Sequence, residues 1–277
     1  MKLYAGPTDE KQLERLLARV EKDEDKPYFD KEANEKEVKM YYKNIKLTDL
    51  NSLEKLVKET HTKQVNYDPS EYVYPWVDLR PDRKLVSIYS GDKRDVKTVI
   101  QEDYETSLQR QAAVEEEGQD EEAAVNQFKY NCEHAVPQSW FEGEEPMRGD
   151  LHHLFTCEPV CNSIRSNYPY YDFKDYPHEE AGMNRIEKHC GKAEDERFEP
   201  EHGKGTVARA VLYFIIRYPD RIGSEYKAGI DRNLLIKWHE KEPPDDYERH
   251  RNQAIYEIQG NRNPWIDFPS EMVRIMK

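Results

Sequence analysis

The stretch FKYNCEHAVPQSWFEGEEPMRGDLHHLFTCEPVCNSIRSN, Phe128 to Asn167, decides how this chain is read. FKYNCEH reads as a strand that ends before Pro137, and LHHLFT reads as a second strand. Between them runs a loop that carries Gly143 and Gly149. A helix is expected from near Glu158, with Pro159 in its first turn and Pro169 closing it. Two strands with a helix packed across them form a compact frame for one metal ion.

The residues on that frame carry chemistry. Asn162 and Arg165 are three apart on the expected helix and share a face, so an amide oxygen for a hard cation lies beside a guanidinium for a phosphate. Glu133 supplies a carboxylate, the preferred partner of Mg²⁺. His134 titrates near neutrality and can take a proton from water without ligating the metal. Neighbours on a regular strand point to opposite faces, so Glu133 and His134 converge only if the strand ends or bends there. Pro137 makes such an ending expected. His152 and His153 read as satisfied core histidines before they read as chemistry.

Outward from this stretch, the apolar spacing of Leu13, Leu16, Leu17 and Val20 predicts an amphipathic helix over about 9–22, with Thr8 as its N-cap. A second helix is expected to lead to MYYKNI, and LNSLEKLVKETHT forms another. KLVSIYSG alternates as a short strand. GTVARAVLYFIIRYP is apolar almost all round and predicts a buried helix, while PPDDYERHRNQAIYEIQG predicts a helix with Tyr247, Ala254, Ile255 and Ile258 inward, stopped by Gly260. NRNPWIDFPSEMVRIMK reads as a Pro-bearing connector and a last short helix.

Charged residues make up 35% of the 277, and the net charge is −14. A chain so acidic ordinarily argues against a nucleic-acid partner. The run Glu102–Glu122 alone carries −8, however, so a locally positive site is compatible with the total. That run reads as a solvated helix or an insertion. No apolar run is long enough for a transmembrane helix, and the start has no basic leader before an apolar segment, so neither a membrane partner nor a signal peptide is expected.

In ordered blocks the chain resembles the bacterial endonuclease I family, whose active site is a His-Me finger, or ββα-metal, motif. The blocks are CEHAVPQSW, GDLHHLF, CNSIRSN, FEPEHGKGTVARAVLYFIIRYP and LLIKWHEKEPPDDYERHRNQAIYEIQGNRNPWIDFP, within about 41–269. The resemblance implies an α+β fold, with a ββα-metal core embedded in a mainly helical single domain. It divides the chain into an N-terminal helical arm (1–40) and a catalytic domain (41–277), with the finger over about 128–168 and the acidic insertion over about 102–122. It implies a nuclease of little sequence preference that cuts DNA, and often RNA, with one divalent ion. Mg²⁺ is the expected ion, with Mn²⁺ or Ca²⁺ as substitutes. By position His134 matches the general base, Glu133 the metal-binding acid and Asn162 the second ligand. Arg148, from the loop between the strands, matches the arginine that holds the cleaved phosphate in some members; Arg165 is the other candidate, and Arg209 falls in a family block with a structural role open. A secreted or extracellular monomer is implied, with a cytoplasmic one as the alternative.

Cys132, Cys157, Cys161 and Cys190 all lie in or just after the finger. Four thiolates suit a structural Zn²⁺, two disulfides are the rival account, and buried free thiols are the third. The alternative to an enzyme is a zinc-stabilised nucleic-acid-binding module without catalysis. A zinc hydrolase built on His152 and His153 ranks last, because the chain has no HExxH pattern.

Overall fold

The computed structural model describes residues 4–23, 26–176 and 189–276; the expected break after the first helix falls partly on residues 24 and 25, outside the described ones. The chain opens with α1 (Glu10–Lys22), α2 (Lys31–Tyr41), α3 (Leu50–Thr60) and the short α4 (Pro69–Tyr72), then makes one turn of π-helix over Val73–Val77. Two-residue strands β1 (Leu85–Val86) and β2 (Lys93–Arg94) precede α5 (Val96–Glu115) and α6 (Glu121–Gln127). The central pair β3 (Cys132–His134) and β4 (Leu154–Thr156) is followed by α7 (Pro159–Arg165) and a hairpin of β5 (Gly191–Glu194) and β6 (Arg197–Pro200). The helices α8 (Lys204–Arg217), α9 (Ser224–Lys227), α10 (Arg232–Lys241), α11 (Asp246–Gln259), α12 (Pro264–Asp267) and α13 (Pro269–Met276) complete an α+β fold. No helix of the described residues is long and apolar enough to cross a membrane.

The helices that apolar spacing predicts, α1, α3, α8 and α11, form there with differences at their ends, while α4, α6, α9 and α10 add to them. Asp9, not Thr8, caps α1, its carboxylate accepting from Gln12 N at 2.8 Å. α11 is capped by Asp245 and stops at Gly260, whose φ of 89° belongs to the left-handed region where a side chain is strained. The strands are shorter than the alternation suggests. Of 128–134 only Cys132–His134 is strand, and KLVSIYSG contributes only Leu85–Val86. Leu151–His153 form a 3₁₀ turn, because the Asp150 carboxylate accepts from His152 N at 3.1 Å and gives the backbone a local partner in place of the ladder.

β3 and β4 pair antiparallel, Glu133 opposite Phe155 and His134 opposite Leu154. They lie between two apolar clusters. Phe155 and Ala135 belong to one, with side chains of α3, α8 and α10; Cys132 and Leu154 belong to the other, with α1, α5 and the π-turn. Alternation along the strand is what lets three residues bridge two cores.

Buried polar groups then fix the hairpin in place. Asp78 accepts from Thr156 N at 2.6 Å and Tyr247 Oη at 2.7 Å and pairs with Arg251, whose guanidinium donates to the carbonyls of Leu151 (2.6 Å) and Leu154 (2.7 Å). Asp150 accepts from Tyr213 at 2.8 Å, Tyr218 at 2.9 Å and Gln259 at 3.1 Å. The acidic run has its own share in this. α5 turns Asp103 inward to accept from the Asn131 backbone and side-chain amides, each at 2.9 Å, so it anchors the entry to β3. An inward face on that helix differs from the solvated one the charge count suggests: the exposed carboxylates dominate the count, while Val99, Ile100 and Ala113 are buried.

Candidate active site

β3 stops at His134, and the chain turns through Pro137, so Glu133 and His134 line one cleft of about 610 Å³. His134 Nε2 lies 2.9 Å from the Arg148 carbonyl. A carbonyl only accepts, so Nε2 carries the hydrogen and the Nδ1 lone pair remains, with the Gln138 amide donating toward it at 3.4 Å. Rings of Tyr67 (4.7 Å) and His153 (5.3 Å) hold the imidazole from the sides. Burial, and then the neighbouring His153, push its pKa well below the ordinary value, which keeps the ring neutral at pH 7.

Glu133 is held as firmly. Its Oε1 accepts from Tyr89 Oη at 2.7 Å and pairs with Arg165 Nε at 3.1 Å, and Tyr89 is in turn hydrogen-bonded to Tyr170 at 2.8 Å. Burial raises its pKa and the Arg165 charge opposes the rise. Both side-chain partners converge on Oε1, which leaves Oε2 as the oxygen to reach a cation. Asn162 donates its amide to the Cys132 carbonyl at 2.9 Å, so its Oδ1, an oxygen able to meet a cation, is the end left over. A carboxylate and an amide oxygen are hard donors that fit Mg²⁺, an ion that keeps several waters. Among the described residues no three His, Cys, Asp or Glu side chains gather where they could hold a metal.

The remaining expected residues separate clearly. Arg165 is sealed from solvent, donating to the Ala135 carbonyl at 2.9 Å and the Ser166 carbonyl at 3.0 Å besides pairing with Glu133, so its guanidinium orients the acid. Arg148 donates to Gln138 Oε1 at 3.0 Å, stacks over Tyr67 at 5.1 Å, and orients His134 through its own carbonyl. His152 and His153 are buried, each with Nε2 on a backbone carbonyl, of Asn261 and Met147. Arg209 clamps Glu248 and the Glu242 carbonyl, joining α8, α10 and α11. Tyr89, Tyr170 and Gln138 were not anticipated, because each reaches the site through a contact that leaves no pattern in the sequence.

The cysteines follow neither four-thiol account. Cys161 and Cys190 form a disulfide with Cα atoms 5.2 Å apart, and Cys132 and Cys157 are buried free thiols. A structural Zn²⁺ on all four and a second disulfide are both overturned. Two of the four sulfurs are bonded to each other, and Cys157 lies ahead of α7 while Cys161 lies within it. The disulfide ties α7, and with it Asn162, to the entry of β5. The cleft is locally basic against the acidic total: Arg110, Lys129, Arg148 and Arg165 line it, against Glu122, Glu133 and Glu142.

Parts of this sequence resemble known proteins. A periplasmic deoxyribonuclease of Aeromonas hydrophila is 30% identical over 155 residues, 49% of this chain and 62% of that protein. An extracellular ribonuclease of Bacillus subtilis (strain 168) is 34% identical over 136 residues, 43% of this chain and 44% of that protein. Endonuclease-1 of Buchnera aphidicola subsp. Baizongia pistaciae is 26% identical over 121 residues, 42% and 45% of the two chains. The chain thus spans about half the length of the curated relatives it matches. The family model described as Endonuclease I matches residues 47–270, from α3's approach to the start of α13, and on that coverage the chain belongs to the endonuclease I family.

Proposed function

We propose that the protein is a divalent-metal-dependent endonuclease of little sequence preference that hydrolyses phosphodiester bonds of DNA and RNA, with β3, β4 and α7 as its ββα-metal (His-Me) finger. The observation that carries this reading is the contact of His134 Nε2 with the Arg148 carbonyl, which assigns the tautomer. The Arg148 carbonyl keeps the hydrogen on Nε2, so Nδ1 is a neutral base in the cleft that Glu133 and Asn162 also line. In the reaction His134 Nδ1 takes the proton from a water that attacks phosphorus in line. Glu133 and Asn162 would hold the ion, which would supply positive charge to offset that developing on the phosphate and the leaving 3′ oxygen. Arg165 and Tyr89 keep the Glu133 carboxylate in place, and Arg148, at the cleft wall, is assigned the phosphate. Phosphate contacts carry no base information, which accounts for low sequence preference.

Relatives bearing both deoxyribonuclease and ribonuclease names support a substrate range that includes DNA and RNA. Their periplasmic and extracellular locations, together with the Cys161–Cys190 disulfide, favour an oxidising compartment, and we assign a secreted monomer. The test is plasmid and RNA degradation with Mg²⁺, Mn²⁺, Ca²⁺ or chelator. Cleavage should stop with chelator, and His134→Ala should lose at least about a hundredfold in rate, the usual scale of general-base catalysis, while melting as the wild type does. A folded His134→Ala variant with ordinary activity refutes the mechanism. Salt-sensitive binding with intact strands for the wild type would instead support a non-catalytic binding module.

A further inference from the structure

Four cations line the cleft, and three of them are engaged. Arg110 donates to the Phe128 carbonyl at 2.8 Å and lies 4.1 Å over the Tyr130 ring. Arg148 is bonded to Gln138, and Arg165 to Glu133 and the Ala135 carbonyl. Lys129 differs: among the described residues its ammonium has neither a hydrogen bond nor an ion pair, although the side chain lines the cleft and is half-buried.

The backbone around Lys129 is held on both sides. Phe128, which ends α6, is bound through its carbonyl by Arg110, and Asn131 N donates to Asp103. The lysine is therefore delivered to one place on the wall, four residues before Glu133, where it feels that carboxylate's charge without contacting it. Burial pulls the ammonium's pKa down and Glu133 pulls it up. An ammonium kept partly from water with no partner is unfavourable, and an anion entering the cleft relieves it.

We infer that the Lys129 ammonium binds a backbone phosphate of the nucleic-acid strand lying in the cleft, on the α6 side of Glu133. The inference rests on the nuclease reading above. It gives the acidic segment a function, since α5 and α6 form the support that presents this cation.

The test uses Lys129→Met and Lys129→Arg in the full chain. Binding is measured in the His134→Ala background, by fluorescence anisotropy of a labelled single-stranded DNA oligonucleotide over about 50–200 mM salt. Lys129→Met should bind roughly tenfold more weakly, the scale of one charge-assisted hydrogen bond. The slope of log affinity against log salt should become shallower by about 0.7, one phosphate contact on a single strand. In the His134-containing enzyme the same change should lower kcat/KM mainly through KM, and Lys129→Arg should restore most of both losses, at an unchanged melting temperature. If the wild type cleaves while Lys129→Met keeps its affinity and salt slope, the inference is overturned and the nuclease reading survives. If the wild type neither binds nor cleaves nucleic acid, both fall.

Discussion

Replacing Cys161 and Cys190 together by serine removes the one covalent tie between α7 and the segment entering β5. The bond closes a loop with a sequence separation of 29. Loop-closure entropy at that length corresponds to about 3.6 kcal/mol at 25 °C. For 277 residues the unfolding entropy is about 0.6 kcal/mol per kelvin, so the melting temperature should fall by about 6 °C. A local effect accompanies the global one, because Asn162 directly follows Cys161 and α7 is only seven residues long. The helix is then held by non-covalent contacts alone, among them the Asn162 bond to the Cys132 carbonyl, the Arg165 contacts with Glu133 and Ala135, and the packing of Val160 and Ile164 on the core. The variant should therefore need more Mg²⁺ for half-maximal nuclease activity even where it is fully folded. Circular-dichroism melting with and without reductant measures the first effect, and activity against Mg²⁺ concentration the second. Thiol titration of the denatured, unreduced wild type should find two free thiols, those of Cys132 and Cys157. Four free thiols there, or a double variant that melts with the wild type, refute the reasoning.

Tyr89→Phe removes the hydroxyl between Glu133 and Tyr170; we expect a stability loss of about 1–2 kcal/mol from the unsatisfied buried oxygens and a several-fold rise in the Mg²⁺ requirement, read by urea denaturation and metal titration of activity. An unchanged metal requirement argues against Tyr89 as a positioning residue. Arg251→Met breaks the buried pair with Asp78 and strips two carbonyls of their donor, so about 3–5 kcal/mol should be lost in the same urea experiment. Acid should destabilise the fold through its buried histidines. His152 has its pKa lowered to about 3, by burial against the opposing pull of Asp150, so between that value and the unfolded one near 6.5 only the unfolded chain binds the proton. Its contribution is whole above about pH 6.5 and is lost at about 1.4 kcal/mol per unit as pH falls through the window. His61, His239 and His250 are shifted the same way and steepen the fall. Equal urea midpoints at about pH 5 and 7 contradict this account.

That Glu133, His134 and Asn162 would line one cleft was legible because each belongs to a short block whose residue types match a chemical task, and because Pro137 announces the end of the strand. The helices were legible for a similar reason, since apolar spacing is a local property. What holds the site was not. Tyr89 reaches Glu133 across 44 residues and Asp103 reaches Asn131 across 28, and neither contact leaves any periodicity behind. Asp103 was further hidden by its neighbours: in a run of nine acidic residues, the one that turns inward is indistinguishable by charge from those that face water.

Arg165 shows the same limit from the other side. Helical spacing correctly put it one turn from Asn162, and a guanidinium beside a cation ligand suggested a phosphate. Spacing gives direction around a helix axis but not depth, and depth decides the role here. A guanidinium that is almost fully buried, with Glu133 and two carbonyls as partners, has exchanged its solvation for those contacts and cannot move to substrate without abandoning them. Charge that meets an incoming phosphate must keep one face toward the cleft, and that requirement moves the search from Arg165 to the other cations of the lining: Lys129, whose ammonium has no hydrogen bond or ion pair among the described residues, and Arg148, whose carbonyl meets His134.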